Sequence, residues 1–310
     1  MSDDAFEIID YADRDDWVSG RQEGIGASDA AAILGENKYK SAYTLWAETT
    51  GKIQPEDLSQ NEAVQFGTKL EGLVIQELAE RTGRLVNRWP QTRVMVSTRW
   101  QVMRCTPDAQ QWRMTPAFDT PIPSGDFGLI DAKTCGLRSS ADWQDEPPLP
   151  YQIQLQHQLA VSGAKWGTLC CLIGGQSFAW FDIERNDAFI AALIAREQEF
   201  WDCVQRDVPP AIDGSESTSE ALKKLYPKDS GESIFLTGEF CEYDDELSGV
   251  KATIKQLNDR ETWLKNQFAA AIGEASEAVL PNGVRYTHRS QTRKAYEVKE
   301  ATFRVLRKAK

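Results

Sequence analysis

The sequence predicts an α/β protein in which a central mixed sheet is flanked by helices. Segments with helical periodicity alternate with short apolar runs of strand character, in the order helix, sheet, helix, sheet, helix. A Gly-Gly pair at 174–175 lies between two strand-like runs and indicates a hairpin. Apolar residues at three- and four-residue steps near the C-terminus add one long helix of about 30 residues.

The first 83 residues predict three helices. The stretch 15–24, DDWVSGRQEG, favours a short helix, and 26–35, GASDAAAILG, favours a second one with Ser28 as its N-cap and Gly35 at its end. The stretch 61–83 is amphipathic over six turns and ends at Gly83.

Strands dominate the middle of the chain. Runs of strand character occupy 85–96, 100–106 and 127–134, with a turn-rich insertion at 110–125. A helix at 150–163 begins with a proline, and strands at 166–175 and 177–184 follow before a helix at 186–208.

The chain is predicted to divide into a core, residues 1–207, a linker rich in Pro, Ser and Gly, residues 208–232, and a C-terminal part, residues 233–310. This last part holds the long helix and a small basic β extension, with strand-like pieces at 283–289, 294–299 and 302–308. The helix is too long to bury its own apolar stripe, so we expect it to pack on the core, on a second chain or along DNA. The stripe consists of Leu247, Val250, Ile254, Leu257, Leu264, Phe268 and Ile272.

The charge is distributed unevenly. The net charge is −12, but residues 282–310 carry nine Lys or Arg and two Asp or Glu, a net charge of +7, which leaves −19 for the rest. An acidic exterior with a locally basic segment suits an enzyme that must move along DNA without stalling. No apolar run is long enough to span a bilayer, and no signal-peptide pattern is present, so we expect a cytoplasmic protein without a membrane partner.

Histidine and cysteine usage narrows the chemistry. Only His157 and His288 occur, and no C-x-x-C pair is present, which disfavours histidine-rich metal sites, zinc ribbons and Ser–His or Cys–His nucleophiles. We expect the six cysteines to be reduced thiols and His157 to lie on a helix surface. Catalysis would have to use carboxylates, lysine and a bound cation.

The stretch 127–136, FGLIDAKTCG, places Asp131 and Lys133 on the same face of an apolar strand. Two charges there need compensation for their lost hydration. In CTPDA, Asp108 stands where a strand ends, so adjacent strands would bring Asp108 and Asp131 together. Converging carboxylates without histidine favour Mg²⁺ or Mn²⁺, which suits metal-assisted phosphodiester hydrolysis.

Two predicted helices contribute further candidate residues to this site. Glu71 lies on the apolar stripe of the helix 61–83, where a metal or its bound water would satisfy it. Tyr151 and Gln154 share a face of the helix 150–163, and Gln154 would hydrogen-bond the site or a DNA backbone. Taken singly, Asp-x-Lys is usually a surface ion pair and Pro-Asp a common turn. The combination favours a catalytic site.

This combination resembles the PD-(D/E)xK nuclease superfamily, and more closely its YqaJ-like viral recombinase or lambda-exonuclease family. The similarity covers roughly residues 15–206 through the stretches DDWVSGRQEGIGASDAAAILG, FGTKLEGLVIQELAERTG, CTPDA, GLIDAKT and YQIQLQHQLAVSG. The resemblance implies a restriction-endonuclease-like core. Most relatives carry Glu where this chain has Asp131, whose shorter side chain would shift the metal or change the preferred metal.

The resemblance also implies roles. Asp108, Asp131, Lys133, Glu71 and Gln154 would be catalytic, and the metal, Mg²⁺ with Mn²⁺ as a substitute, would be held by Asp108, Asp131, Glu71 and the backbone carbonyl of Ala132. The implied activity is 5′→3′ exonuclease action on linear double-stranded DNA ends. It would leave 3′ single strands for an annealing protein in phage-type recombination, with a ring-shaped homotrimer and a phage or prophage origin.

Arg21, Ser28 and Tyr151 match positions implied to contact the 5′-phosphate or the DNA. Ser28 would open a helix whose free N–H groups suit an anion, and Arg21 can bind phosphate as a fork. The glycines at 24 and 26 would allow the backbone close to the phosphate. Alternatively, Ser28 is only a helix cap and Arg21 a surface ion-pair partner.

Two other functions stay open. A PD-(D/E)xK endonuclease, structure-specific or defensive, would cut circular plasmid that an exonuclease leaves intact. The other alternative is a DNA-end-binding module without catalytic activity. Such a module would not need Asp108, Asp131, Lys133 and Glu71 together, so the presence of all four residues disfavours this function.

Overall fold

The computed structural model describes residues 5–113, 126–295, 297, 300 and 304–308. The chain forms two compact units, Met1–Tyr226 and Pro227–Lys310. The strands are β1 Phe6–Asp10, β2 Ile25–Gly26, β3 Leu85–Arg88, β4 Arg93–Ser97, β5 Met103–Cys105, β6 Ala109–Trp112, β7 Gly128–Cys135, β8 Trp166–Ile173, β9 Ser177–Glu184, β10 Glu277–Val279 and β11 Arg285–Thr287. The α-helices are α1 Arg14–Gly20, α2 Ala30–Ile33, α3 Ala42–Thr49, α4 Glu62–Thr82, α5 Leu149–Ser162, α6 Asp187–Gln205, α7 Glu216–Leu225 and α8 Glu239–Ile272.

The central sheet of the N-terminal unit has five strands in the order β3-β6-β7-β8-β9. β7 and β8 are parallel and the other neighbours are antiparallel, so the predicted mixed sheet is confirmed. A second sheet has the order β1-β4-β5-β2. Both faces of β7 are covered, which explains its nearly continuous apolar sequence.

Two helices cover the two faces of β7. On one face α4 packs through Val74 and Leu78 against Ile130 of β7. On the other face α5 packs through Leu155 against Leu129 of β7, in the core that also includes β4 and β5. Because strand side chains alternate, Asp131 points to the α5 side.

Local sequence signals determine the ends of α4. The Asn61 side chain accepts hydrogen bonds from the N–H groups of Ala63 and Val64. Gly83 ends the helix with φ of 67°, a left-handed conformation that glycine adopts without steric cost. The predicted helix at 61–83 is therefore confirmed.

Three predicted segments differ from the structure. The run 85–96 is two strands, β3 and β4, which belong to different sheets and are separated by a turn at Pro90. The start of the predicted insertion 110–125 is strand β6, and its residues 114–125 lie outside the described residues. The polar residue Gln111 made this segment resemble a loop in the sequence. In the structure its side chain is fully buried and donates hydrogen bonds to Thr168 Oγ1 and the Leu129 carbonyl.

The predicted linker 208–232 contains α7. Its Thr218 and Ala221 are buried, and the Ser217 hydroxyl accepts a hydrogen bond from the Ser41 N–H beside α3. The N-terminal unit therefore continues to Tyr226, and this part of the segment is not a linker.

The C-terminal unit consists of α8 and the antiparallel pair β10–β11. The predicted long helix is present, and Phe268 stacks on Tyr286 at 4.3 Å between ring centroids. Of the predicted strand at 283–289, the structure has Arg285–Thr287. The predicted pieces 294–299 and 302–308 lie in part outside the described residues. Within the described part of the chain, no helix has both the length and the apolar character to cross a membrane.

Candidate active site

Pairing between β6 and β7 places Asp108 beside Asp131. The Asp108 N–H donates to the Ile130 carbonyl at 3.1 Å, so Asp108 lies at the entry to β6, opposite β7. Its Oδ2 accepts from the Ala132 N–H at 2.6 Å. The predicted convergence of the two aspartates is therefore present, although the neighbouring strand is β6 rather than the end of β5.

The buried Asp131 and the half-buried Lys133 form an ion pair on the α5 face of the sheet. Asp131 is only 2% exposed, and Lys133 Nζ lies 2.6 Å from its Oδ1. Its other oxygen, Oδ2, is buried without a hydrogen-bond partner among the described residues. A carboxylate oxygen in this position is costly unless a further group, such as a cation, neutralises it.

Helix α5 holds the lysine in place. Lys133 Nζ donates to Gln154 Oε1 at 3.3 Å and lies 4.9 Å from the centre of the Tyr151 ring. Tyr151 in turn stacks on Trp143 with ring centroids 5.7 Å apart. The predicted residues Gln154 and Tyr151 are thus both in contact with Lys133.

Glu71 lines the same cleft, of about 400 Å³, as the two aspartates, Lys133, Tyr151 and Gln154. Its carboxylate is bound elsewhere, however. Glu71 Oε1 is 3.2 Å from Arg88 Nη2, and Oε2 accepts from Gln91 Nε2 at 3.4 Å.

The expected role of Glu71 as a third metal ligand stays a prediction. No group of three or more Asp, Glu, His or Cys side chains among the described residues is arranged to hold a metal. In this structure Glu71 is paired with Arg88 instead.

The buried charges of the cleft shift the pKa values of Asp108 and Lys133. Burial, followed by the negative charge of Asp131, raises the pKa of Asp108 to about 8, while Lys133 and the Ala132 N–H oppose the increase. Burial alone would lower the pKa of Lys133, but Asp131 and Asp108 raise it above its usual value. Two acids thus share one lysine.

The donor set suits a divalent cation. Asp108 and Asp131 offer hard oxygen ligands, and Oδ2 of Asp131 has no hydrogen-bond partner among the described residues. A bound cation would offset both the burial and the repulsion from Asp131 that raise the pKa of Asp108. Ala132 contributes its N–H to Asp108, and the role of its carbonyl as a ligand stays a prediction.

A second cavity of about 100 Å³ adjoins the cleft. Gln154 lines both cavities, and the smaller one is also lined by Ser28, Thr106, Arg104 and Gln158. Ser28 is not the predicted helix cap. It lies in a 3₁₀ turn, Ala27–Asp29, and the helix that follows, α2, has four residues, so the expected helix N-terminal anion site is absent from this described segment.

The turn that carries Arg21 is held by hydrogen bonds from Arg104, a residue that no sequence pattern marks as functional. Arg104 Nη1 donates to the Gly20 carbonyl at 2.7 Å, and Nη2 donates to the Glu23 carbonyl at 3.0 Å. A Cβ on Gly24 would lie 2.4 Å from the Val102 carbonyl oxygen and 2.6 Å from Arg104 Nε. Gly24 therefore serves close packing within the protein. The Arg21 side chain lies outside what the structure describes.

His157 is fully buried, contrary to the expected position on a helix surface. Its Nδ1 is 2.7 Å from Glu197 Oε1, and its Nε2 is 3.1 Å from the Arg104 carbonyl. A carbonyl can only accept, so Nε2 carries a proton. The His157 interaction with Glu197 connects α5, α6 and β5 beneath the turn of residues 20–24.

The fold and site define a mixed α/β protein with a Pro-Asp turn and an Asp-x-Lys strand at one cleft. Residues 16–165 match the YqaJ-like viral recombinase domain. Protein YqaJ of Bacillus subtilis strain 168 is 33% identical over 274 residues, which cover 87% of this chain and 81% of that protein. The chain belongs to the YqaJ-like viral recombinase family, which confirms the resemblance of its motifs.

Solved structures with a distant likeness include two exonucleases. The alkaline exonuclease of Laribacter hongkongensis has 20% identity and a TM-score of 0.46, over 63% of this chain and 94% of that chain. A phage-related exonuclease from Haemophilus somnus 129PT has 14% identity and a TM-score of 0.41, over 59% of this chain and 96% of that chain.

Proposed function

We propose that this protein is a Mg²⁺-dependent deoxyribonuclease, with Mn²⁺ as a substitute, that degrades one strand of linear double-stranded DNA in the 5′→3′ direction. The observation that carries the proposal is the buried Asp131 beside Asp108, with one carboxylate oxygen paired to Lys133 and the other without a hydrogen-bond partner among the described residues. An apolar strand tolerates this arrangement only where a further charge is accommodated.

Each residue has a role in hydrolysis of a phosphodiester. Asp108 and Asp131 would hold the cation, together with the Ala132 carbonyl and with Glu71 once it leaves Arg88. The cation supplies Lewis-acid stabilisation of the phosphate. Lys133 Nζ, held by Asp131 and Gln154, is placed to stabilise negative charge that develops on the phosphate oxygens.

The small cavity supports recognition of a 5′ end. Ser28 lines it, Arg104 holds the turn that carries Arg21, and Gln154 forms a wall in common with the catalytic cleft. A 5′-phosphate bound there would leave the next phosphodiester close to Asp131. Each cleavage would regenerate a 5′-phosphate, so the same pocket would serve the next cycle. Tyr151 would contact the DNA between the two cavities.

Membership of a viral recombinase family supports the biological role. Single strands with 3′ ends are the substrate of an annealing protein, which would be the partner in phage-type recombination inside a bacterial cytoplasm. A homotrimeric ring around DNA would make degradation processive.

The test uses linear duplexes labelled at either end, with 5′-phosphate or 5′-hydroxyl termini, with and without Mg²⁺. We expect metal-dependent loss of nucleotides from 5′-phosphorylated ends, no cleavage of covalently closed circular plasmid, and no cleavage by Asp131→Ala although it still binds DNA. The exposed Asp126 offers a matched control, Asp126→Ala, that should retain full activity.

Each other result changes the assignment. Cleavage of closed circular plasmid would identify an endonuclease. Binding of DNA ends without cleavage under any metal would identify a non-catalytic module. Undiminished activity in EDTA, or in Asp131→Ala, would contradict the metal site.

A further inference from the structure

Glu71 has an ion-pair partner at the end of an edge strand. Its Oε1 lies 3.2 Å from Nη2 of Arg88, which is the last residue of β3. The Glu71 side chain is 15% exposed, and the Arg88 side chain is 61% exposed. The pair therefore joins a half-buried acid of the cleft to a cation that solvent reaches.

Both partners lie close to the two aspartates of the cleft. Arg88 precedes Trp89, whose N–H donates to the Asp108 carbonyl at 3.0 Å, so the end of β3 runs beside Asp108. After burial and the charge of Asp131, the charge of Glu71 also raises the pKa of Asp108. Glu71 is therefore near enough to Asp108 for the two carboxylates to repel each other.

Helix α4 leaves room for the Arg88 guanidinium. Gly72 follows Glu71 in this helix, and a Cβ at Gly72 would lie 3.0 Å from Arg88 Nη1. A glycine inside a helix lowers the stability of the helix, but here it avoids crowding the guanidinium. The guanidinium is held beside Glu71, and its exposed part can bind a phosphate as a fork.

A phosphate of bound DNA would compete with Glu71 for this guanidinium. An ion pair with a largely exposed partner is weak, whereas a cation that binds a DNA phosphate also releases counterions. A released Glu71 would offer a third hard oxygen ligand in the cleft. On the basis of the function proposed above, we propose that Arg88 exchanges Glu71 for a DNA phosphate, so that substrate binding frees Glu71 to complete the metal site.

The first experiment measures Mn²⁺ binding to the full-length protein by calorimetry in the absence of DNA. Arg88→Met releases Glu71, so we expect this variant to bind Mn²⁺ about fivefold more tightly than the wild type. Arg81→Met is the matched control, because it removes the same charge from an ion pair with Glu77 on the same helix. Its affinity for Mn²⁺ should equal that of the wild type.

The same substitution in a Glu71→Gln background separates the released ligand from a general effect of charge. Loss of any nearby positive charge favours a bound cation, with or without Glu71. If Glu71 is the ligand, Arg88→Met should bring no gain in the Glu71→Gln background. An equal gain in both backgrounds would overturn the proposal. Absence of Mn²⁺ binding in the wild type and in every variant would instead overturn the proposed metal site, and this inference with it.

The second experiment tests the phosphate contact without cleavage. Binding of a 5′-phosphorylated duplex is followed by fluorescence anisotropy in EDTA at several salt concentrations. Arg88→Met should reduce the slope of log K against log salt by about one, and Arg81→Met should leave it unchanged. Circular dichroism checks that both variants are folded. An unchanged slope in Arg88→Met would overturn the exchange and would mean that Arg88 only neutralises Glu71.

Discussion

Removing the guanidinium of Arg104 should loosen the turn of residues 20–24 without unfolding the protein. The side chain is 9% exposed and donates to two backbone carbonyls, those of Gly20 and Glu23. A hydrogen bond from a charged donor contributes about 1.5–3 kcal/mol. With the Gly20 bond counted at about 2 kcal/mol and the bond to the more exposed Glu23 at about half that, Arg104→Met should lose about 3 kcal/mol.

Urea denaturation at neutral pH measures this loss, and Arg99→Met provides a matched control, since Arg99 is exposed and lies just before the same strand. Stability of Arg104→Met equal to that of Arg99→Met would refute the reasoning. A loss of about 3 kcal/mol leaves most domains folded, so function can be measured on the same sample.

The functional assay compares duplexes with 5′-phosphate and 5′-hydroxyl ends. If the turn forms the phosphate pocket, Arg104→Met should raise KM for phosphorylated ends and leave the kinetics on hydroxyl ends nearly unchanged, and Arg104→Lys should restore part of the preference. An equal decrease for both ends would assign Arg104 to the fold alone.

Three further predictions follow from the site and the charge distribution. Lys133→Ala should reduce the cleavage rate on the order of 10²-fold or more, with Lys165→Ala as an exposed control, and a rate near that of the wild type would make Lys133 a structural ion-pair partner. Burial lowers the pKa of His157, but Glu197, the Arg104 carbonyl and Asp29 raise it above its usual value. The stability contributed by this pair should therefore be complete below about pH 6.5 and be lost as the pH rises through the raised pKa, which urea midpoints and histidine NMR would measure. A midpoint that does not fall with rising pH would contradict this assignment. Deleting residues 282–310 should weaken DNA binding and flatten its salt dependence, because fewer phosphates are neutralised, and an unchanged slope would leave this segment a structural role.

Local signals made much of the fold predictable. Helix α4 has a capping asparagine at one end and a left-handed glycine at the other, both visible in the sequence. Strands β7, β8 and β9 have apolar runs and a Gly-Gly hairpin signal, with Gly174 and Gly175 both at positive φ. At these two places neighbours in sequence determine the structure, and the prediction agrees with it.

Long-range pairing was harder to predict. Strand β6 is polar at Gln110 and Gln111 and is a strand because β3 and β7 flank it. The partner of Glu71 is Arg88, and the partner of His157 is Glu197, 40 residues away. The sequence does not reveal the ion-pair partners of Glu71 and His157, because tertiary packing alone brings these partners close.

The same distinction applies to the candidate site. Asp108, Asp131 and Lys133 were predictable because strand alternation and pairing placed them together. Arg104 was not, because an arginine in the short strand β5 has no local pattern that reveals its acceptors. Those acceptors are backbone carbonyls of Gly20 and Glu23, more than 80 positions earlier.

Gly24 offers a second test of the turn that keeps every charged group in the protein. Its φ of −178° is open to any residue, so a substitution acts through space alone. A Cβ there would meet the Val102 carbonyl oxygen at 2.4 Å, a backbone atom that can move only with β5. Gly24→Ala should therefore displace the turn and reduce the preference for 5′-phosphorylated ends, as Arg104→Met does.

Gly214→Ala is the matched control, because a Cβ at Gly214 meets no atom within 4 Å. End preference and cleavage rate should be unchanged in this variant. Agreement between Gly24→Ala and Arg104→Met would show that end recognition requires the turn and the Arg104 side chain in their present positions, since the added methyl group would also lie 2.6 Å from Arg104 Nε. If Gly24→Ala kept the full preference for phosphorylated ends while Arg104→Met lost it, the guanidinium charge itself would act on the phosphate, and Arg104 would belong to the binding pocket rather than to its support.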